Sequence, residues 1–370
     1  MPPVRIVSLE QVASILNGID LEEILTSQGK AFHSYSINET QTPQRPTLQT
    51  PYHSTLIMPA RIDSLTSVVK LVSVPKQDSN NGLPGVTIVL DNLTGEPRGL
   101  VNARLLTAIR TAASSALATR AVFQVKENKD ESLTLVLFGS GAQAKAHIQL
   151  LTHVLPRIRN VLICNRTLPR AQELLAELQP QYQNLTMVAY STSTGESTSP
   201  IPGISSSDQD KGKDKDQLLK QIVQSADVIC TCTNSRAPLF PGEWVRPGTH
   251  INMVGSYTPE MHEVDQALMK RALILVDARQ ECEKEAGELI VAMKERGENG
   301  ILAELGQIFD AHGQFDQTAM PTEFKTATAG ASGKDVTMFK SVGIAAQDVA
   351  ITALVLDQAE AQDLGTVAEI

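Results

Sequence analysis

Residues 133–167, LTLVLFGSGAQAKAHIQLLTHVLPRIRNVLICNRT, decide the fold. An apolar run from Leu133 to Phe138 ends in the glycine pair Gly139 and Gly141. A stretch of helical composition follows, then a second apolar run, Asn160 to Cys164, with the polar tip Asn165-Arg166-Thr167. Strand, glycine turn, helix and strand at this spacing predict the opening unit of a dinucleotide-binding fold. The glycines let the backbone approach a pyrophosphate, and the helix start offers unpaired N–H groups and a positive dipole end. The third glycine of the usual G-x-G-x-x-G pattern is Ala144, a permitted replacement. The tip of the second strand is where such folds read the adenosine ribose. An acidic side chain there pairs with the 2′-OH of NAD, and an arginine pairs with the 2′-phosphate of NADP. This tip carries Arg166 and Thr167 and no acid. The sequence therefore points to a nicotinamide cofactor, NADP(H) in preference to NAD(H).

Outward from this unit, Leu185–Tyr190, Ala226–Thr233, His250–Val254 and Leu273–Asp277 read as further strands of the same sheet. Between them lies STSTGESTSPIPGISSSDQDKGKDKDQ, residues 191–217. It lacks apolar periodicity and is too long for an ordinary βα connection, so it is predicted to be a disordered insertion. Towards the N-terminus, residues 8–33 read as helical, with Ser8 and Gln11 forming a capping box. Residues 53–100 read as β structure, and 101–122 as an Ala- and Leu-rich helix. Asp335–Leu356 reads as the last helix. The nucleotide unit sits mid-chain, so the flanks must build a second domain together. This predicts an α/β protein in which 121–333 form a Rossmann-type, doubly wound domain. Residues 1–120 and 334–370 form an α+β domain for substrate and dimer contacts.

A chain of 370 residues exceeds one ordinary core, which agrees with two domains. Hydrophobic residues make up 42%, as in a globular enzyme. A net charge of −9 and 4% aromatics exclude the basic face and stacking platforms of a nucleic-acid binder. No apolar run is long enough for a membrane span, and no signal-peptide pattern opens the chain. The cysteines 164, 230, 232 and 282 lack zinc-type spacing and read as free thiols of the cytoplasm. His147 and His153 are poorly spaced for a metal, so no metal site is expected.

Hydride transfer to a small acid needs a cationic clamp on the carboxylate, and an imine acceptor also needs a proton donor near its nitrogen. Three cations stand in otherwise apolar surroundings: Arg45 in QRPTL, Lys70 in SVVKLVS and Arg110 in LTAIRTAAS. Singly, such a lysine can snorkel from a sheet edge and such an arginine can pair with a surface carboxylate. Together, beside a nicotinamide fold, they are candidates for the clamp and the donor.

These residues lie in motifs that resemble the ornithine cyclodeaminase/mu-crystallin family. The matching stretches are LTAIRTAASSALAT (106–119), LFGSGAQA (137–144), INMVGSYTPEMHEVD (251–265), LVDARQECEKEAGEL (275–289) and FKSVGIAAQDVA (339–350). The resemblance implies a homodimer of Rossmann-containing subunits acting with NAD(P)(H) on amino acids or their imines. By motif position it implies that Arg45, Lys70 and Arg110 bind the substrate carboxylate, with Lys70 the catalytic acid/base. Gly139, Gly141, Ala142 and Gln143 would face the pyrophosphate, Asn165, Arg166 and Thr167 the ribose, and Ser341, Val342 and Gly343 the nicotinamide. One departure decides between activities. Cyclodeaminases of the family carry an aspartate beside the substrate nitrogen where this chain has Tyr257, whose ordinary pKa near 10 makes it a poor base. Tyr257 suits a donor or a wall of the substrate pocket, and Glu260, Glu263 and Asp265 read as a helix-start cluster. The expected activity is reduction of imino acids, cyclic ketimines such as pyrroline- or piperideine-2-carboxylate. The alternatives are an ornithine- or lysine-type cyclodeaminase with bound NAD, and an NADPH-dependent small-ligand-binding protein.

Overall fold

The computed structural model describes residues 3–76, 83–125, 132–204, 215–297, 300–326 and 335–369. The chain forms two compact units, one of Met1–Ser114, Leu305–Ala319 and Gly343–Ile370, the other of Ser115–Glu304 and Met320–Val342.

The first unit opens with β1 (Val4–Val7), α1 (Leu9–Gly18) and α2 (Leu21–Ser36). The predicted helix over 8–33 is thus two. Ser8 and Gln11 close a capping box on α1, and the Asp20 carboxylate accepts from Glu22 N at 3.0 Å to start α2. Then come β2 (Thr40–Gln41), β3 (Thr47–Gln49), β4 (His53–Ile62), β5 (Ser67–Pro75), β6 (Gly85–Leu90), β7 (Pro97–Asn102) and α3 (Arg104–Val125). β4 to β7 are antiparallel neighbours in one mixed sheet, in which β1 lies parallel to β7.

In the second unit, β8 (Leu133–Phe138), α4 (Ala142–Val154), β9 (Ile158–Asn165), α5 (Leu168–Leu178) and β10 (Thr186–Ser191) come first. They are followed by α6 (Lys215–Ser225), β11 (Val228–Thr231), β12 (His250–Met253), α7 (Gln266–Arg271), β13 (Ala272–Val276), α8 (Arg279–Glu285), α9 (Gly287–Arg296), β14 (Ile301–Glu304), α10 (Thr322–Thr326) and β15 (Val336–Lys340). The chain then returns to the first unit as α11 (Ala345–Ala361) and β16 (Thr366–Ala368), which pairs antiparallel with β1. The second sheet has the order β10-β9-β8-β11-β12-β15-β13-β14, every pair parallel. β11, β12, β13 and β15 are buried along their whole length, as parallel strands covered on both faces must be. The fold is α/β with a Rossmann-type sheet. Among the described residues no helix is long and apolar enough to cross a membrane.

Three expectations are corrected. The stretch Asp335–Leu356 is not one helix: Val336–Lys340 is a strand between β12 and β13, and the helix begins at Ala345. The run VTMFK is β-branched and aromatic, and Gly343 at φ +83° breaks any helix across it. Second, Leu305–Ala319 groups with the terminal unit rather than with the Rossmann unit. Glycines permit this. Gly306 meets the Phe32 carbonyl and Gly313 meets α2, while the His33 ring bonds Phe309 O at 2.6 Å. Third, both ends of the 191–217 insertion are ordered. Ser191 N donates to Glu196 O at 2.8 Å, Ile201 is buried in the core, and 215–217 begin α6. Residues 205–214, the middle of that prediction, lie outside the described residues.

Candidate active site

The first group of candidates stands at the carboxyl ends of the parallel strands, in the second unit. The strand order reverses direction at β8, with β9 on one side and β11 on the other, the position at which such sheets take a ligand. Gly139 follows β8 at φ +113°, and a β-carbon there would sit 2.7 Å from the carbonyl oxygen of Cys232, the residue that directly follows β11. Only glycine fits that turn. Gly141 is the N-cap of α4, supplies no side-chain cap and has open space where a β-carbon would be. The first-turn N–H groups of α4, from Ala142 and Gln143, therefore stay accessible to an anion. Ala144, where a third glycine is usual, is fully buried against the sheet. At the tip of β9 Asn165 donates to Thr167 O at 2.8 Å and to Thr167 Oγ1 at 3.1 Å, which shapes the turn, while Arg166 is exposed. The glycine turn and the open start of α4 leave room for a dinucleotide phosphate.

Two loops at the same strand ends are held by buried charge. Asp277 accepts from Ser341 Oγ at 2.7 Å and from Val342 N at 3.0 Å through one oxygen, and from Ala278 N at 2.8 Å through the other. It thereby fixes the segment expected against the nicotinamide. Glu263 is not part of a helix-start cluster. It is buried and accepts from Gly255 N, Thr231 Oγ1, Thr233 N and Thr233 Oγ1, at 2.7 to 2.9 Å. Burial pushes its carboxyl above the ordinary range, opposed by Lys340 and by these hydrogen bonds. Glu288 accepts from Ser256 Oγ and Glu263 N, and the buried Lys340 ammonium donates to Ser256 O and Oγ. Asp265 does cap a helix, accepting from Leu268 N at 2.8 Å. Tyr257, on the loop so fixed, packs half-buried against the core of this unit.

The second group lies within the first unit. Lys70 is in the middle of β5, which is interior to the sheet, so it cannot snorkel from an edge. Strand alternation places it on the same face as the buried Val68 and Val72, and α11 packs on β5. There its Nζ donates to Asp348 Oδ1 at 2.8 Å, with both side chains 1% exposed. Arg110, inside the Ala-rich α3, approaches the same oxygen with Nε at 3.5 Å and donates from Nη1 to Gln347 Oε1 at 2.9 Å. Gln347 returns a bond from Nε2 to Arg110 O at 3.0 Å and accepts from Ile344 N at 3.1 Å. Gly343 faces the Arg110 guanidinium, which occupies the space a side chain would need. Arg45, half-buried between β2 and β3, acts on Lys70 through its charge. Lys70 is pushed down from the ordinary 10.5 to about 8. Burial is the main cause; Asp348 pulls the other way, and the charges of Arg110 and Arg45 add to the fall.

Structure thus brings Lys70 and Arg110 together, with the charge of Arg45 felt by Lys70. It places Tyr257, the glycine turn and the β9 tip in the other unit. Sequence reasoning missed Gln347 and Asp348, although a Gln-Asp pair within IAAQDVAITALV is as anomalous as a lysine within a strand. It also missed Asp277, Glu288 and Lys340. Among the described residues no group of three or more His, Cys, Asp or Glu could hold a metal ion.

The family model described as ornithine cyclodeaminase/mu-crystallin family matches residues 7–199 and 217–363, the break falling in the insertion. A Delta(1)-pyrroline-2-carboxylate reductase of Bacillus cereus is 28% identical over 358 residues, 94% of this chain and 95% of that protein. The ketimine reductase mu-crystallin of Rattus norvegicus is 30% identical over 298 residues, 80% of this chain and 76% of that protein. Among solved structures, a Thermococcus litoralis Delta(1)-pyrroline-2-carboxylate reductase in complex with NADH and L-proline matches with TM-score 0.77 at 23% identity. That match covers 98% of this chain and 99% of the other.

Proposed function

The chain belongs to the ornithine cyclodeaminase/mu-crystallin family, and we propose that it is an NAD(P)H-dependent reductase of imino acids, with cyclic ketimines such as pyrroline- or piperideine-2-carboxylate as substrates. The observation that carries this reading is the buried lysine, Lys70, poised among two arginines and one carboxylate. Lys70 and Arg110 share one carboxylate, Asp348, in a dry setting that the charge of Arg45 also reaches, which suits a substrate carboxylate. Arg45 and Arg110 are assigned to that carboxylate. Lys70 is the acid: its ammonium gives a proton to the imine nitrogen as carbon accepts hydride, and regains one from solvent. A reduced nicotinamide, when bound, would supply the hydride.

The terminal unit is assigned to substrate and dimer contacts, the other unit to the cofactor. Gly139, Gly141, Ala142 and Gln143 would hold the pyrophosphate, with Val342 and Gly343 beside the nicotinamide. Arg166 favours NADP(H) over NAD(H), because its exposed guanidinium can pair with a 2′-phosphate and Asn165 and Thr167 offer no carboxylate for a 2′-OH. Tyr257 is assigned to the wall of the substrate pocket. The four free cysteines support a reducing compartment such as the cytoplasm.

The test is cofactor oxidation followed by absorbance with a panel of cyclic ketimine acids, beside an ammonia-release assay with ornithine and NAD. Oxidation of NADPH faster than NADH supports the assignment. Ammonia release without net cofactor turnover would replace it by cyclodeamination.

A further inference from the structure

Asp348 is the carboxylate paired with both Lys70 and Arg110, and its setting is unlike that of a packing residue. It lies in the first turn of α11, among the buried residues Ala345, Ala346, Val349 and Ala350. Its Oδ1 takes Lys70 Nζ at 2.8 Å and stands 3.5 Å from Arg110 Nε. Its Oδ2 is buried and has no hydrogen-bond donor among the described residues. Lys70 in turn makes no other hydrogen bond among the described residues, so two of its three N–H donors stay uncommitted. An ammonium in a fully buried setting with one partner takes its direction from that partner. The neighbour Gln347 holds Arg110 from both ends, through Nη1 and through its backbone carbonyl. One turn of α11 thus orders groups delivered by β5 and α3.

We propose that Asp348 is a positioning residue for imine reduction: its carboxylate aims the Lys70 ammonium and balances the charge of Arg110 beside it. The proposal rests on the reductase reading of this site. Without Asp348, Lys70 keeps the charges of Arg110 and Arg45, which both push its pKa down, and loses the carboxylate that raises it. Loss of the carboxylate therefore favours the neutral amine, which has no proton to give the substrate nitrogen. The Nζ–H bond breaks as the new N–H bond forms on the substrate nitrogen; a reduced nicotinamide, when bound, would supply the hydride to carbon and be left oxidised.

The experiment compares Asp348→Asn with the parent enzyme, measuring kcat and KM on the imino acid and cofactor oxidation across a range of pH. The expected result is a fall in kcat of roughly tenfold or more at neutral pH, with NADPH affinity unchanged. The alkaline limb of the profile moves down by about one to three pH units, the usual effect of one adjacent charge. A folded Asp348→Asn enzyme with an unmoved limb would overturn the proposal. The titration of Lys70, followed without substrate by NMR of 13C-labelled lysine, separates this from the reductase reading. If the parent enzyme reduces no imino acid, that reading fails, yet a lower Lys70 midpoint in Asp348→Asn still supports the Asp348 role and an equal midpoint removes it. Should Asp348→Asn not fold, Asp348→Glu keeps the charge on a longer arm. It is expected to hold the limb in place while lowering kcat, and an unchanged kcat would count against aiming.

Discussion

Gly343 and Arg110 are fitted to each other: Gly343 adopts φ +83°, and a β-carbon there would fall on the Arg110 guanidinium. The glycine is needed twice, once for its backbone conformation and once for the room it leaves. Gly343→Ala should cost about 1–2 kcal/mol from the left-handed backbone alone. It should also displace Arg110 and raise KM for the imino acid roughly tenfold or more, the loss expected when one charge-assisted hydrogen bond goes. Steady-state kinetics beside a thermal melt would separate the two effects. An unchanged KM in a folded variant would remove Arg110 from the carboxylate clamp.

The buried setting of Lys70 fixes the sign of a pH dependence. Burial, with help from Arg110 and Arg45, brings its pKa to about 8. An acid must carry its proton, so kcat/KM should be level below that value and fall about tenfold per pH unit above it. Lys70→Met should abolish turnover while leaving NADPH binding near normal. A profile that rises through this range would make Lys70 a base instead.

Arg166 is exposed at the tip of β9, so its removal should leave the fold intact. Arg166→Ala should weaken NADPH binding by roughly 10- to 100-fold, as for loss of a guanidinium–phosphate pair, and change NADH binding little. Fluorescence titration with both cofactors would read the ratio. Equal losses for the two would mean that Arg166 does not meet a 2′-phosphate.

His147 links stability to acid. It is fully buried on α4, its Nδ1–H donates to Gln143 O at 2.7 Å, and its Nε2 therefore accepts from Ser115 Oγ at 2.9 Å. Burial lowers its pKa from 6.5 to about 4. The folded pKa lies below the unfolded one, so this stability is complete above about pH 6.5 and is lost as pH falls towards 4. The loss amounts to roughly 3 kcal/mol at most. Denaturant unfolding at neutral and acid pH, with His147→Gln as control, would measure it; an equal acid loss in that variant would assign the effect elsewhere.

Much of this molecule is legible in its sequence because local chemistry fixes it. The glycines of the β8–α4 turn, the Ser8–Gln11 cap and the uninterrupted apolar runs of the parallel strands each satisfy a backbone requirement within a few residues. The lysine in SVVKLVS announces itself, since a strand interior to a sheet tolerates a cation only with a partner. Its partner could not be read in the same way. Asp348 lies 278 residues away, and the two meet only because the chain leaves the first unit, builds a parallel sheet and returns as α11.

The same division runs through the misread segments. VTMFK has the composition of a strand, but its place between β12 and β13 depends on strands more than 50 residues upstream. Glu263 sits two residues before a true helix cap, so by spacing alone it looks like part of the same cluster. Tertiary structure buries it instead, where an unpaired carboxylate is too costly to leave without donors, and the end of β11 and the segments that follow β11 and β12 converge to supply them. Sequence determined the backbone turns and the types of charge this protein carries. Only the fold decided which charges face each other, because desolvation makes a buried ion depend on whatever distant segment the topology brings beside it.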